Sequence, residues 1–157
     1  MFKPLARLVV SPGAIVLFDM LIVVPMCLAI YEVAPYLGHH QSLHDVLEIV
    51  TGIGVLMIGW GVVLEERATL REIFGIEHSS DQERQKHLDQ MCHHFGLGQL
   101  ILGLLAEVCV EMVHLPDKII NTSGIEAPVI GLGLFFIAVG GLFLVVHIFR
   151  IIVHTLK

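Results

Sequence analysis

Charged residues are scarce in this chain, and their scarcity argues against several classes of protein. Only 15% of its 157 residues are charged, and the nine Lys and Arg form no basic stripe, so a nucleic-acid partner is not expected. The three cysteines lie in or at the ends of apolar segments and form no CxxC pair. Their odd number and spacing argue against a disulfide framework and against a zinc finger.

The sequence also lacks the common motifs of soluble enzymes. It contains no Walker A, GxGxxG, GxSxG or HExxH pattern, and no paired histidine boxes. The segments between its apolar stretches are too short to fold a separate catalytic domain. The sequence therefore predicts no catalytic residues.

Long apolar runs are what the chain has instead. Hydrophobic residues make up 55% of it and the mean hydropathy is +0.83, which is typical of a membrane protein. Runs of this length can cross the hydrocarbon core of a bilayer as helices. We predict a single all-α domain, a polytopic membrane protein with four transmembrane helices in an antiparallel bundle. The predicted spans are residues 8–33, 44–65, 93–114 and 128–149.

The segment between the second and third spans, residues 66–92, is rich in helix-forming residues. Gly75 is a natural residue to end one helix, and Ser80 with Glu83 matches a capping box that starts the next. We predict that the two helices extend beyond the membrane as a hairpin. Its charges are expected to form a solvated, salt-bridged stalk or a docking site for another protein.

The distribution of positive charge predicts the orientation of the chain. Every Lys and Arg except Lys118 falls on one side of a four-span arrangement. By the positive-inside rule, both termini and the hairpin are then cytoplasmic. The expected location is a bacterial inner (plasma) membrane.

Ionisable residues inside the second and third spans predict a site. Glu107, Glu111 and His114 share one helical face, and His44 and Glu48 are one turn apart at the start of the second span. Pairing these spans as antiparallel neighbours places His44 near His114 and Glu48 near Glu111. Ionisable groups at membrane depth are costly, which makes them candidates for a functional site.

Oxygen and nitrogen donors of this kind suit zinc, iron, manganese or copper. We therefore predict that the Glu/His cluster in the outer leaflet holds a transition metal ion or a proton. Two alternatives stay open for these residues. They form ordinary polar packing between helices, or paired histidines at the span ends hold a b-type haem.

A secondary polar cluster is expected from residues of other spans. Asp19 lies well inside the first span, while His93, His94 and His147 lie towards the cytoplasmic ends of the third and fourth. Asp19 is either a buried carboxyl bonded to a neighbouring helix or a participant in proton or ion movement. Few polar residues connect the two clusters, so transport is expected only in an oligomer.

Glycines in the spans support a further alternative. Gly52, Gly54, Gly59 and Gly61 in the second span let helices approach closely, because packing holds membrane helices together. In this alternative, the chain is a non-catalytic accessory subunit of a larger membrane complex, such as a respiratory or photosynthetic one. The expected partners are the lipid bilayer and either further copies of the chain or other membrane subunits.

Overall fold

The structure is a computed structural model that describes four stretches of the chain. It covers the backbone of residues 10–33, 43–76, 82–117 and 126–156, and the side chains of these ranges apart from 32–33, 43–44, 82 and 114–117.

The described part of the chain folds into five helices and confirms the all-helical prediction. Four of them are long and apolar enough to cross a membrane. The helices are α1 (Pro12–Val33), α2 (Leu43–Glu65), α3 (Arg67–Ile73), α4 (Gln82–Asp117) and α5 (Glu126–Leu156).

Local sequence explains where two of these helices begin or end. Pro12 starts α1, where its missing N–H costs nothing, and the Ala14 N–H donates to Ser11 Oγ at 3.2 Å. After α3, Gly75 takes a φ of 60°. The Gly75 and Ile76 N–H groups then donate to the carbonyls of Glu72 and Arg71, both at 3.0 Å. This pattern satisfies helix-end carbonyls and favours glycine at that position.

The helices α2 and α4 pack with their backbones almost touching. A Cβ atom on Gly61 would lie 2.7 Å from the Leu100 nitrogen, and one on Gly103 would lie 2.9 Å from the Gly54 oxygen. Along α2 these contacts go forward from Gly54 to Gly61, whereas along α4 they go back from Gly103 to Leu100. Only glycine permits such an approach, as in membrane helices generally.

The remaining long helices complete a helical bundle around an aliphatic core. Helix α4 packs on both α2 and α5, and α1 packs mainly on α5. The outside of the bundle is apolar as well: Leu17 and Leu21 of α1 and Phe149 of α5 are each more than half exposed. Fully buried side chains include Ile15, Met26, Met57, Leu64, Ile130, Ile137, Leu144 and Ile151.

An ion-paired cluster closes one end of the bundle. Arg67 is only 3% exposed, and its Nε donates to the Val10 carbonyl at 3.1 Å. Asp89 accepts from Arg67 Nη1 through one oxygen and from Arg71 Nη1 at 2.6 Å through the other. Burial lowers the pKa of the Arg67 guanidinium, an effect that nearby Asp89 opposes. Arg67 is therefore salt-bridged as expected, but it is buried rather than solvated.

Candidate functional site

Three polar side chains from three helices meet inside the bundle. Trp60 Nε1 of α2 donates to Asp19 Oδ1 of α1 at 2.6 Å. His147 Nδ1 of α5 lies 2.8 Å from Asp19 Oδ2. Asp19 and His147 are completely buried, and Trp60 is 8% exposed. We call these three residues the buried centre.

The helical period places Asp19 and His147 inside. Residues spaced by three or four share one face of a helix. Asp19 lies on the buried face of α1, and His147 lies on the buried face of α5. The buried neighbours on those faces are Ile15, Ile22 and Met26 in α1, and Ile137, Gly140, Leu144 and Ile151 in α5.

The hydrogen bonds of the buried centre determine where a proton can bind. An indole N–H only donates, so Asp19 Oδ1 accepts from Trp60. When Asp19 is a carboxylate, its Oδ2 accepts from His147 Nδ1–H, and the lone pair of the neutral ring then lies on Nε2. His147 Nε2 is buried and has no hydrogen-bond partner among the described residues. Nε2 is therefore the open polar position of the pair, on a ring that one hydrogen bond joins to the Asp19 carboxyl.

Aromatic rings cover the buried centre. The Phe95 ring stacks on His147 with centroids 4.7 Å apart, and the Phe18 ring lies 5.2 Å from that of Trp60. Apolar walls of this kind lower the local dielectric constant and strengthen electrostatic interactions inside the site.

Gln99 adds an unsatisfied amide one turn along α4 from Phe95. Its side chain is fully buried, and neither its Oε1 nor its Nε2 has a hydrogen-bond partner in the described ranges. A buried amide without partners is costly, so such groups are usually satisfied by water or a ligand.

The predicted outer cluster is described only in part. Glu48 and Glu111 are exposed, whereas Glu107 is half-buried and packs over Gly54. Glu107 Oε1 is buried and has no partner among the described side chains. The side chains of His44 and His114 lie outside the described residues.

No group of three or more His, Cys, Asp or Glu suited to a metal ion occurs within the described ranges. The side chains of two of the five predicted ligands, His44 and His114, are not described, so the outer Glu/His metal site stays a prediction.

The structure brings together only two residues of the secondary cluster, Asp19 and His147. His93 and His94 are exposed, and their rings meet edge to face with centroids 5.8 Å apart. The His94 Nδ1 lies 2.6 Å from the Gln90 carbonyl on its own helix. These two histidines take no part in the buried centre.

Sequence reasoning missed Trp60 and Arg67. Trp60 is the only tryptophan of the chain and lies deep in an apolar run, where its N–H needs an acceptor. Asp19 is a carboxyl in another apolar span and could supply that acceptor. These two facts together were the available signal for the Trp60–Asp19 bond.

Comparison of the chain with known protein families, with curated proteins and with solved structures gives no match.

Proposed function

We propose that this chain is an integral membrane protein that binds protons at its buried Asp19–His147 pair. It forms an antiparallel four-span bundle in a bacterial inner (plasma) membrane, with both termini cytoplasmic. Two contacts support the antiparallel arrangement. Arg67 after α2 bonds to Val10 before α1, and Arg84 near the start of α4 bonds to the His154 carbonyl near the end of α5. Together with the Arg67–Asp89 ion pair, these contacts support a placement of all four helix ends on one side.

One observation carries the proton-binding proposal: a fully buried carboxyl–imidazole pair whose outer imidazole nitrogen has no partner in the described structure. Imidazole gains and loses a proton near neutral pH, and ionisable groups at membrane depth commonly belong to proton relays. The carboxylate of Asp19 offsets the charge that His147 acquires, while Trp60 fixes the carboxyl orientation.

Transfer across the bilayer needs more than this pair. Glu107 is the next ionisable residue on the inward-facing side of α4 beyond Phe95, which stacks on His147, and it lies twelve positions further along the helix. At the rise of an α-helix this separation is about 18 Å, too long for a direct proton transfer. We therefore assign proton binding to the single chain and proton transfer to an assembly that supplies bridging water.

Nitrogen NMR of histidine-labelled protein in lipid vesicles tests the proposal. The signal that disappears in His147→Gln is expected to change from the Nδ1–H tautomer to imidazolium as the pH falls. In Asp19→Asn the same signal should lose its preference for that tautomer. His94→Gln is the matched control and should leave it unchanged. A His147 signal that stays neutral from alkaline to acid pH would overturn proton binding.

A second candidate function is an accessory subunit of a larger membrane complex. Glu111 is exposed on α4, where the other exposed side chains of residues 97–112 are all apolar, including Val108 and Met112. An exposed carboxylate at membrane depth is costly, which favours coverage by another chain. Purification in mild detergent should then recover a second membrane protein in fixed proportion. Recovery of only a homo-oligomer would contradict this function. Recovery of a monomer would contradict it too, and would also show that no second copy covers Glu111.

The transition-metal alternative rests on the unpartnered buried oxygen of Glu107. Its ligands would be His44, Glu48, Glu107, Glu111 and His114, and elemental analysis of protein purified without an affinity metal tests it. Stoichiometric zinc, iron, manganese or copper that is lost in Glu111→Ala and His114→Ala would support it. A visible haem spectrum would instead favour the haem alternative. Metal-free protein with the spectrum of a plain polypeptide would remove both.

A further inference from the structure

A groove between α4 and the last turns of α5 carries positive and imidazole groups without any carboxylate among its described lining residues. Its volume is about 680 Å³. Its polar lining consists mainly of Arg150, His87, His94 and His154. We call it the basic groove.

The Arg150 guanidinium is the main hydrogen-bond donor of the basic groove, because His94 Nδ1 faces the Gln90 carbonyl of its own helix. The Arg150 guanidinium carbon lies 5.6 Å from the centre of the Phe95 ring, and the rings of His87 and His154 stack with centroids 5.2 Å apart. A guanidinium carries five N–H donors, and an imidazole carries at least one in either protonation state. Phosphate oxygens accept such bonds and pair strongly with arginine.

Arg84 offsets the negative potential of the carbonyls at the end of α5. The last carbonyls of a helix carry partial negative charge, which would repel an anion at the end of α5. Arg84 Nη2 donates to the carbonyls of His154 and Thr155, both at 2.9 Å. These bonds satisfy the carbonyls and bring a second guanidinium to the backbone of His154, a residue of the groove lining.

A neighbouring cavity of about 710 Å³ lacks this charge pattern. Its lining includes Glu65, Glu66 and Asp89 together with Arg71 and Lys86. The carboxylates there would repel a phosphate, so charge favours the basic groove alone.

The apolar side of the basic groove indicates which phosphate compound it takes. Phe149 and Val153 belong to its lining, and Phe149 is 68% exposed. Both residues continue the apolar outside of α5, along which acyl chains would lie. A soluble phosphate would leave this wall in water.

We propose that the basic groove binds the headgroup of an anionic phospholipid at the cytoplasmic surface of the membrane. Basic pockets between membrane helices on that side commonly bind such lipids. The inference depends on the membrane placement and orientation proposed above, and it does not depend on proton binding.

Native mass spectrometry of the full chain in detergent tests the proposal with two dioleoyl lipids, phosphatidylglycerol and phosphatidylcholine. Wild-type protein should retain one phosphatidylglycerol at concentrations where phosphatidylcholine is lost. Arg150→Gln should weaken that retention about fivefold, the effect of one positive charge at a membrane surface. Arg150→Lys should restore most of it.

Lys86→Gln is the matched control, because it removes one positive charge from α4 beside the other cavity. It should bind phosphatidylglycerol as the wild type does, and thermal unfolding in detergent should show that all variants are folded. Equal retention of the two lipids by wild-type protein would overturn the proposal without reference to any variant. Displacement of the lipid by an equal concentration of glycerol phosphate would show a site for a soluble phosphate, which also contradicts it.

Discussion

Asp19 occupies a position where every neighbour on its helix face is aliphatic, and its two oxygens explain how it is accommodated. One accepts from Trp60 Nε1 and the other faces His147 Nδ1. A buried carboxyl with partners for both oxygens avoids the full cost of desolvation. Removing either partner should therefore cost more than a typical surface change.

The bond between Trp60 and Asp19 can be measured with a double-mutant cycle. Trp60→Phe keeps a ring but removes the N–H donor, and Asp19→Asn changes the acceptor. We expect a coupling of about 1 to 3 kcal/mol in the free energy of unfolding, measured by denaturant titration in detergent. Phe18→Leu alters the ring next to Trp60 without touching the bond. Its coupling to Asp19→Asn should be near zero, and a coupling as large as that of Trp60→Phe would show that ring packing dominates.

Asp89 is the second single residue with a large expected effect. It accepts from both Arg67 and Arg71, and Arg67 is buried. Asp89→Asn leaves two guanidinium groups facing a neutral amide, so we expect a loss of about 3 kcal/mol in unfolding free energy. Glu83→Gln on the same helix alters an exposed carboxylate and should change stability by less than about 0.5 kcal/mol. Similar losses in the two variants would mean that general charge balance matters rather than the buried pair.

Among the helices, length and hydropathy were enough to predict four long apolar ones. The same patterns did not predict the break after α2, because EERATLREIF contains no glycine or proline. The break falls at Glu66, with φ −84° and ψ 10°, directly before Arg67. Arg67 bonds to Val10 and Asp89, which are distant in sequence. These tertiary contacts begin directly after the break, and a local pattern carries no information about them.

Close packing between α2 and α4 makes a prediction for their glycines. A Cβ atom on Gly96 would lie 2.5 Å from the Glu65 nitrogen and 2.6 Å from the Gly61 oxygen, so the backbones must separate. We expect Gly96→Ala to lower the unfolding free energy by about 1 to 3 kcal/mol. Gly59→Ala is the control, since nothing lies within 4 Å of its added Cβ. It should be neutral or stabilising, by up to about 1 kcal/mol. If both variants behave alike, the close approach of α2 and α4 is not what requires Gly96.

For the whole molecule, sequence spacing identified which residues share a helix face but could not show what each face meets. Asp19 and His147 are 128 positions apart, and their pairing depends on how α1 packs against α5. Glu48 and Glu111 were predicted to lie near each other between two spans, yet both side chains are exposed in the chain alone. Periodicity locates a polar side chain around its own helix, whereas its partner is fixed only by the packing of several helices.

The proposed topology predicts the location of reporter proteins fused to the chain. Green fluorescent protein joined after residue 157 should fluoresce, because it folds in the cytoplasm. Alkaline phosphatase joined after residue 121 should be active, because that connection has Lys118 as its one Lys or Arg and is expected on the opposite side. Loss of activity in both fusions would show an inverted orientation. Activity of only one of them would place both fusion sites on the same side and contradict four spans.

The single tryptophan of this chain donates to the carboxyl that faces His147. Its fluorescence therefore originates beside the proposed proton-binding site and nowhere else. The emission spectrum of unlabelled protein then reports on this site directly, so changes there can be followed in real time while pH, lipid or partner proteins are varied.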